Sequence, residues 1–444
     1  MITRRQWLLG SAAFALAFPP KSAFARGRTH YGGSVILHAP WPLGWVDPHR
    51  IDDPVAAFFG EALFDTLYAR DAGGTIVPSL AEADPVVDGS TLRVDVRQGV
   101  RFASGAPLDP RVVAASLARS RARDGGPWLL DVPVPRVDGA ALVFATRDAH
   151  RLAHALASPL VAVLPPRFSP ERPDGTGPFR AEVRPGALVL LRNIVAANGP
   201  AFLESIEVRR AADLAGPLRA FESGADDLGW LGSFLHEPRP GARAFDGGAV
   251  AWVLLRTGRD AGAQDVPGGA QAIADCVPHA AIASFVVGAP WEVRDSTRAG
   301  WTGPPCDLLV REDAPWLVEL ARSLAAALSS PSHEVTPRPL PWTEMLQRRA
   351  ARAYTLMVDV ARPAGPGPLG TVLGLATADD RASGEALARH PPRGELPPRA
   401  ATRTSRVGVV GEVRLQGGRA PDVTLPPSPW GRGIDWGGAS RSRA

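Results

Sequence analysis

The chain has 444 residues, 45% of them apolar and 21% charged, with a formal charge of +4. That is the balance of an ordinary globular protein, long enough for two to three domains and for a large core without metal or disulfide staples. Its positive charge is almost entirely arginine, scattered along the chain, which gives nucleic-acid binding no basic stripe to work with.

The N-terminus reads as a targeting signal over residues 1–25. Arg4 and Arg5 precede an apolar run from Trp7 to Phe18, and Ala23-Phe24-Ala25 supplies a small-x-small cleavage site. The run is too short to span a bilayer, which needs roughly 20 apolar residues. The paired arginines of Thr3-Arg4-Arg5-Gln6-Trp7-Leu8-Leu9 match a twin-arginine export signal; a general secretory signal carrying two arginines is the alternative. Cleavage would remove Arg4, Arg5 and Lys21, the one lysine, and lower the formal charge from +4 to +1. Cys276 and Cys306 are the two cysteines. Export would permit a disulfide between them, with two free thiols as the other reading.

In chain order, residues 33–38 read as a strand stopped by Pro40 and Pro42. Residues 54–69 place Val55, Phe58, Phe59, Leu63 and Leu67 at helical spacing. Thr91 to Val96 alternates apolar and polar as a half-buried strand does. Asp109-Pro110 supplies an N-cap and an N1 proline for the next helix. Strands follow at 140–146, 186–192 and 204–210, then a helix at 213–222. The Gly/Pro/Arg-rich stretch 236–248 reads as a linker before a strand at 249–256 and a helix at 268–277. A βαβ-like unit occupies 307–360, with strands at 307–311, 333–338 and 354–360 and helices at 314–328 and 341–352. That alternation predicts an α/β lobe. The stretch 362–406 is Pro/Gly-rich, with a helix at 378–389. Arg406 to Leu415 reads as a closing strand, and 426–444 as a mobile tail.

The catalytic and cofactor motifs fail on their chemistry. Gly365-Pro366-Gly367-Pro368-Leu369-Gly370 matches a GxGxxG pattern, but its prolines remove N–H donors that would cradle a pyrophosphate. No Walker A sequence or GxSxG elbow occurs, and neither His236-Glu237 nor His333-Glu334 is followed by a histidine at zinc-protease spacing. No cofactor and no metal is expected.

Several segments, in order, resemble the peptide/nickel-type extracellular solute-binding proteins of family 5. Trp45-Val46-Asp47-Pro48-His49 is similar to that family's LDPH segment, and Leu63-Phe64-Asp65-Thr66-Leu67 to its YEGL segment. Residues 92–108 resemble its FHLRKGVKFHDGTPL segment with the spacing intact. Gly175-Thr176-Gly177-Pro178-Phe179 is similar to its GTGPY loop, which makes Gly175, Gly177, Pro178 and Phe179 structural residues of the motif. Phe221 to Asp227 is similar to LQSGEID.

The resemblance implies an α/β, two-lobed periplasmic binding protein-like fold of type II, with a hinge and an interlobe cleft. Lobe I would be 27–248, lobe II 249–404, and 405–444 a return to lobe I plus a flexible tail. It also implies a non-enzymatic, periplasmic substrate-binding component of an ABC importer. Such a protein, a monomer, captures a peptide or other small polar solute by closure and delivers it to a permease. A ligand sensor on the same fold and a twin-arginine-exported enzyme are the alternatives.

Departures bear on the ligand. Peptide binders of the family carry an aspartate after the strand of a DYPDP-like segment, where it pairs with a peptide amino terminus. Here the region reads Met357-Val358-Asp359-Val360-Ala361-Arg362, so Asp359 sits within the strand and Arg362 stands nearby. If Arg362 faces the cleft, it implies an anionic ligand group, held bidentately; an exposed arginine at the start of a loop is the other reading. Among the 12 tryptophans, Trp41, Trp230, Trp252, Trp291, Trp301, Trp316 and Trp342 fall near strand ends or lobe edges. Trp41 and Trp230 are singled out for the cleft, because large amphipathic rings suit a ligand grip.

Overall fold

The structure, a computed structural model, describes residues 32–39, 41–71, 74–213, 215–230, 243–286, 300–365, 367–389, 402 and 405–419. The signal segment 1–25, Trp291, residues 236–242 of the expected linker and the tail beyond Arg419 lie outside the described residues.

The chain opens with β1 (Ser34–Ala39) and turns into α1 (Pro54–Leu63), which starts where Asp53 accepts from the Ala56 N–H and Pro54 fixes the first turn. The helix ends at Leu63 rather than 69, because Phe64 is already extended. A hairpin of β2 (Tyr68–Arg70) and β3 (Ile76–Pro78) follows, then β4 (Val86–Asp88) and β5 (Thr91–Asp95). Leu92 and Val94 of β5 turn inward, as their alternation requires. In α2 (Pro110–Ala122), the Asp109 carboxylate accepts from the N–H groups of Arg111 and Val112. Next come β6 (Arg136–Asp138), β7 (Ala141–Phe144) and α3 (Ala149–Ala155). Strands β4-β5-β7-β6 form one antiparallel sheet. Its inner face and α2 and α3 share a core of their own, built around Leu92, Phe102, Leu117 and Phe144.

After β8 (Phe179–Arg184), β9 (Ala187–Arg192) and β10 (Ser205–Arg210), the order β1-β10-β9-β8 makes a second sheet, with β1 parallel to β10. Helix α4 (Ala215–Glu222) and β11 (Leu228–Trp230) lead to β12 (Arg243–Thr257). Strand β12 therefore begins within the expected linker: Gly247 and Gly248 sit at a register shift in its pairing, where a bulge tolerates them.

Helices α5 (Gly269–Asp275) and α6 (His279–Ile282) precede the predicted alternation, which is present as β13 (Cys306–Arg311), α7 (Pro315–Leu328), β14 (Val335–Leu340), α8 (Trp342–Ala351) and β15 (Leu356–Ala361). Strands β14 and β15 flank β13, both parallel to it. Helix α7 covers them with a buried stripe of Trp316, Leu317, Leu320, Ala321, Leu324 and Leu328.

Helix α9 (Gly367–Asp379) and α10 (Arg381–Arg389) then occupy much of the Pro/Gly-rich stretch. A helix does follow the GxGxxG pattern, since Pro368 falls in its first turn, where proline costs no hydrogen bond. Strand β16 (Val407–Arg419) runs antiparallel to β12 along nearly its whole length and pairs with β11 at its far end. The six-stranded sheet is β11-β16-β12-β15-β13-β14. The two long strands β12 and β16 thus connect the β13–β15 unit with the part of the chain that holds β1. Cys276 and Cys306 are free thiols.

The Gly175–Phe179 loop is seated on the end of α1. A methyl group at Gly177 would lie 2.6 Å from the Leu63 carbonyl carbon and 2.7 Å from the Ala62 oxygen, and one at Gly175 would lie 2.1 Å from the Leu63 oxygen. Between them, Thr176 donates to Asp65 at 2.8 Å. The Pro178 carbonyl accepts from Asn193 N–H at 2.9 Å, and Phe179 is buried at the start of β8. Since backbone and not a flexible side chain stands in the way, Gly177→Ala is expected to cost about 1–3 kcal/mol. A urea midpoint equal to that of the parent protein would show that the loop has another arrangement.

Candidate functional site

The segment 47–53, between β1 and α1, is where the two parts of the molecule meet. Its first half is anchored within its own lobe. The Asp47 carboxylate accepts from both terminal nitrogens of Arg119 on α2, at 3.0 and 2.7 Å, and from the His49 N–H at 3.0 Å. His49 is buried, its Nε2 set 2.8 Å from the Ala162 carbonyl and its Nδ1 2.8 Å from an Arg119 nitrogen. Nε2 therefore carries the proton and Nδ1 accepts. Burial pushes the imidazole down to about 4, so it is neutral at physiological pH.

The second half reaches across. Asp52 is wholly buried and accepts from Arg50 Nε at 2.9 Å and Nη2 at 2.6 Å. It also accepts from Nη2 of Arg349, on α8. The other terminal nitrogen of Arg349 donates to Asp359 of β15 at 2.8 Å, and Asp359 in turn accepts from Arg256 Nε at 3.1 Å. Arg349 is thus one fork held by two carboxylates, one on each side of the interface. Burial acts to raise Asp52, but the Arg349 and Arg50 charges outweigh it and hold the carboxyl well below its usual range. Burial likewise works against the Arg349 charge, and Asp52 and Asp359 more than offset it.

Two neighbouring cavities open beside this bridge. The outer one, about 330 Å³, is lined from one side by Pro42, Gly44, Trp45 and Pro54 and from the other by Arg311, Asp313, Trp342 and Leu346. The inner one, about 10 Å³, has room for roughly one water and is walled by Trp41, Phe58 and Trp316. Trp41 stacks on Phe58 with centroids 4.6 Å apart and meets Trp316 edge-on at 6.3 Å. At the outer cavity, the Arg311 guanidinium lies 4.2 Å from the centre of the Trp342 ring and is itself held by Asp313 at 2.6 and 2.9 Å.

Of the residues expected at the ligand, Trp41 and Asp359 line the inner cavity. Trp41 is buried in the aromatic cluster, and Asp359 is engaged by two arginines. Trp230 ends β11 opposite Gly417, and its side chain lies outside the described residues. Arg362 is a correction. Its guanidinium is buried against the 48–56 segment, where it donates to the carbonyls of Pro48, Arg50 and Ala56, while its own N–H bonds the Ile51 carbonyl at 3.0 Å. A side chain committed in this way offers no fork to a ligand carboxylate, and the argument for an anionic ligand falls with it. Arg311 and Arg349 carry no sequence signal, and Trp342, one of the seven tryptophans at strand ends or lobe edges, and Trp45 are not assigned to the cleft by sequence. Trp45 opens the LDPH-like segment and Trp342 starts a helix after a proline, signals too common to separate these rings from other tryptophans.

Among the described residues, no group of three or more His, Cys, Asp or Glu is arranged to hold a metal ion, and no helix is long and apolar enough to cross a membrane. Comparison with known proteins matches residues 75–230 to the model for bacterial extracellular solute-binding proteins, family 5 Middle. No curated protein sequence matches the chain. Solved structures match its fold over nearly the full length. NikA from Brucella suis in complex with Fe(III)-EDTA has TM-score 0.61 and 17% identity, over 91% of this chain and 99% of that one. NikA from Staphylococcus aureus in complex with Ni(L-His)2 has TM-score 0.64 and 15% identity, over 90% and 98%. DppA from Helicobacter pylori in complex with the peptide STSA has TM-score 0.66 and 15% identity, over 90% and 96%. The fold is that of the two-lobed, type II periplasmic binding proteins.

Two arginines can be tested separately. Replacing Arg362 with alanine removes a buried guanidinium that donates to three carbonyls and should cost about 2–5 kcal/mol in a denaturation curve. A loss below about 1 kcal/mol would place the guanidinium elsewhere. Arg349→Met removes only the crossing fork, because Arg50 still pairs Asp52 and Arg256 still pairs Asp359. It should cost about 2 kcal/mol, less than a buried pair left without any partner, and should raise the radius of gyration in small-angle scattering. An unchanged radius would mean that the bridge does not hold the two lobes together.

Proposed function

We propose that this chain, a family 5 extracellular solute-binding protein by its residues 75–230, captures a small solute between its two lobes and presents the closed form to an ABC permease. It acts on this reading as an exported monomer, a binder and not an enzyme. The observation that carries it is the outer cavity. Half-buried Trp45 and Trp342 face into one space from opposite lobes, beside an ion bridge, Asp52–Arg349, that exists only when those lobes are together. Such a site is made by closure and lost on opening, which couples occupancy to shape.

The structural relatives support the reading by kind. Their complexes hold a peptide in one case and a chelated metal ion in others, small ligands on the same fold. The permease partner, export and the delivery step follow from the family and from the reading of residues 1–25.

The test compares protein purified natively with the same protein stripped by unfolding and refolding. Scattering should give a larger radius of gyration for the stripped sample. Adding back the compound identified by mass spectrometry in the native sample should restore the smaller one. Identical radii in all three states would remove ligand-driven closure as the function of this cleft.

A further inference from the structure

We infer that the cleft takes a ligand that is uncharged at neutral pH and combines a flat apolar face with an oxygen hydrogen-bond acceptor, an inference that rests on the cleft being the binding site. Five charged side chains line the two cavities: Asp52, Asp53, Arg311, Asp313 and Asp359. Four of them are already ion-paired inside the protein. Asp52 is shared by Arg50 and Arg349, and Asp359 by Arg349 and Arg256. Arg311 and Asp313 hold each other through two hydrogen bonds. Asp53 has no ion pair: it accepts from the N–H groups of Asp47 at 2.6 Å and Ala56 at 3.0 Å, and burial pushes its carboxyl up to about 7. A ligand carboxylate would enter a dehydrated space with no unpaired cation waiting, and an ammonium would find only Asp53, whose oxygens already accept two N–H groups and which burial holds partly protonated at neutral pH. A full counter-charge could be gained only by breaking an internal pair and leaving another ion buried alone.

What the walls do offer is rings and a donor. Trp45 and Trp342 stand on opposite sides of the outer cavity. Trp342 is held in place by Arg311 against its ring, with Arg349 at 5.8 Å. On the wall of the inner cavity, Trp316 is buried and its indole N–H has no hydrogen-bond partner. Buried indole N–H groups ordinarily find an acceptor. A neutral carbonyl, ether or hydroxyl oxygen, carried inward by a ligand whose flat face lies between the tryptophans, supplies one without bringing a charge. Blocked peptides and small sugars share that chemistry; free peptides and chelated metal ions do not.

Calorimetry on the full mature chain separates these classes. The probes are phenylalanylglycine, its N-acetyl amide, a glucose disaccharide and the nickel–histidine complex. At least one of the two neutral probes should bind about tenfold or more tighter than both charged ones, a difference of about 1.4 kcal/mol; which of the two it is tells amide from sugar. Trp316→Phe keeps a ring and deletes the donor, and should weaken that binding about fivefold. Trp45→Ala, at the half-buried mouth, should weaken it as well and does not depend on how the inner core tolerates phenylalanine. Tighter binding of free phenylalanylglycine or nickel–histidine, no heat from either neutral probe, or full affinity in both tryptophan variants would overturn the inference. A charged probe that binds and compacts the protein would do so while leaving ligand-driven closure standing. No compaction with any probe would count against both.

Discussion

The structure turns on one guanidinium. Arg349 reaches from α8 to Asp52 of the loop before α1 and to Asp359 of β15, and neither carboxylate is exposed enough to be solvated by water. Burying Asp52 without a cation is prohibitively costly, so the loop that carries it must stay near Arg50 and, in the closed form, near Arg349. That need explains the density of anchors around the loop. Arg119 and His49 fix its first half to α2 and to the Ala162 carbonyl, and Arg362 fixes its second half from the end of β15. A flexible loop could not present a buried carboxylate to the opposite lobe at hydrogen-bond distance, whereas this one is held on both sides of the acid it presents.

The cleft inherits its character from that bridge. Asp52, Arg349 and Asp359 satisfy one another, so the cavities beside them are bounded largely by ions paired inside the protein and by aromatic rings. The aromatic residues come in two sets with different jobs. Trp41, Phe58 and Trp316 pack against one another at the back, joining the core of the β1 sheet to the core under α7. Trp45 and Trp342 sit at the front, half-buried, on opposite sides of the outer cavity.

Much of the fold was legible in the sequence, and the reasons are local. The alternation of Leu92 and Val94, the Asp109-Pro110 cap and the strand–helix rhythm of 307–360 each depend on neighbours a few residues away, and each appears as read. The sequence misleads where glycine and proline look like punctuation. Gly247 and Gly248 sit in a bulged strand, and Pro368 sits in a helix's first turn, two places where those residues are tolerated. The site was harder, since every pair that defines it is non-local. Asp52 and Arg349 are 297 positions apart, and Arg362 finds its carbonyls more than 300 positions away. The resemblance located the right segments, LDPH-like and DYPDP-like, but not the direction in which a side chain points. Arg362 was read as facing a ligand because a family aspartate does so nearby; in this chain it faces backbone.

That reversal changes how closure is to be understood energetically. A ligand shifts an open–closed equilibrium only by the difference in its affinity for the two states. Where a protein meets its ligand with unpaired charges, much of that difference comes from the ion pair the ligand completes. Here the cross-lobe ion pair lies wholly within the protein, Asp52 with Arg349, so closure carries a favourable term that no ligand charge has to supply. The aromatic contacts at the cleft mouth then need to add only a modest increment, and ring stacking with one or two hydrogen bonds supplies about that much. On the proposed reading, the protein provides the electrostatic half of the closing contact, and the solute provides the apolar half.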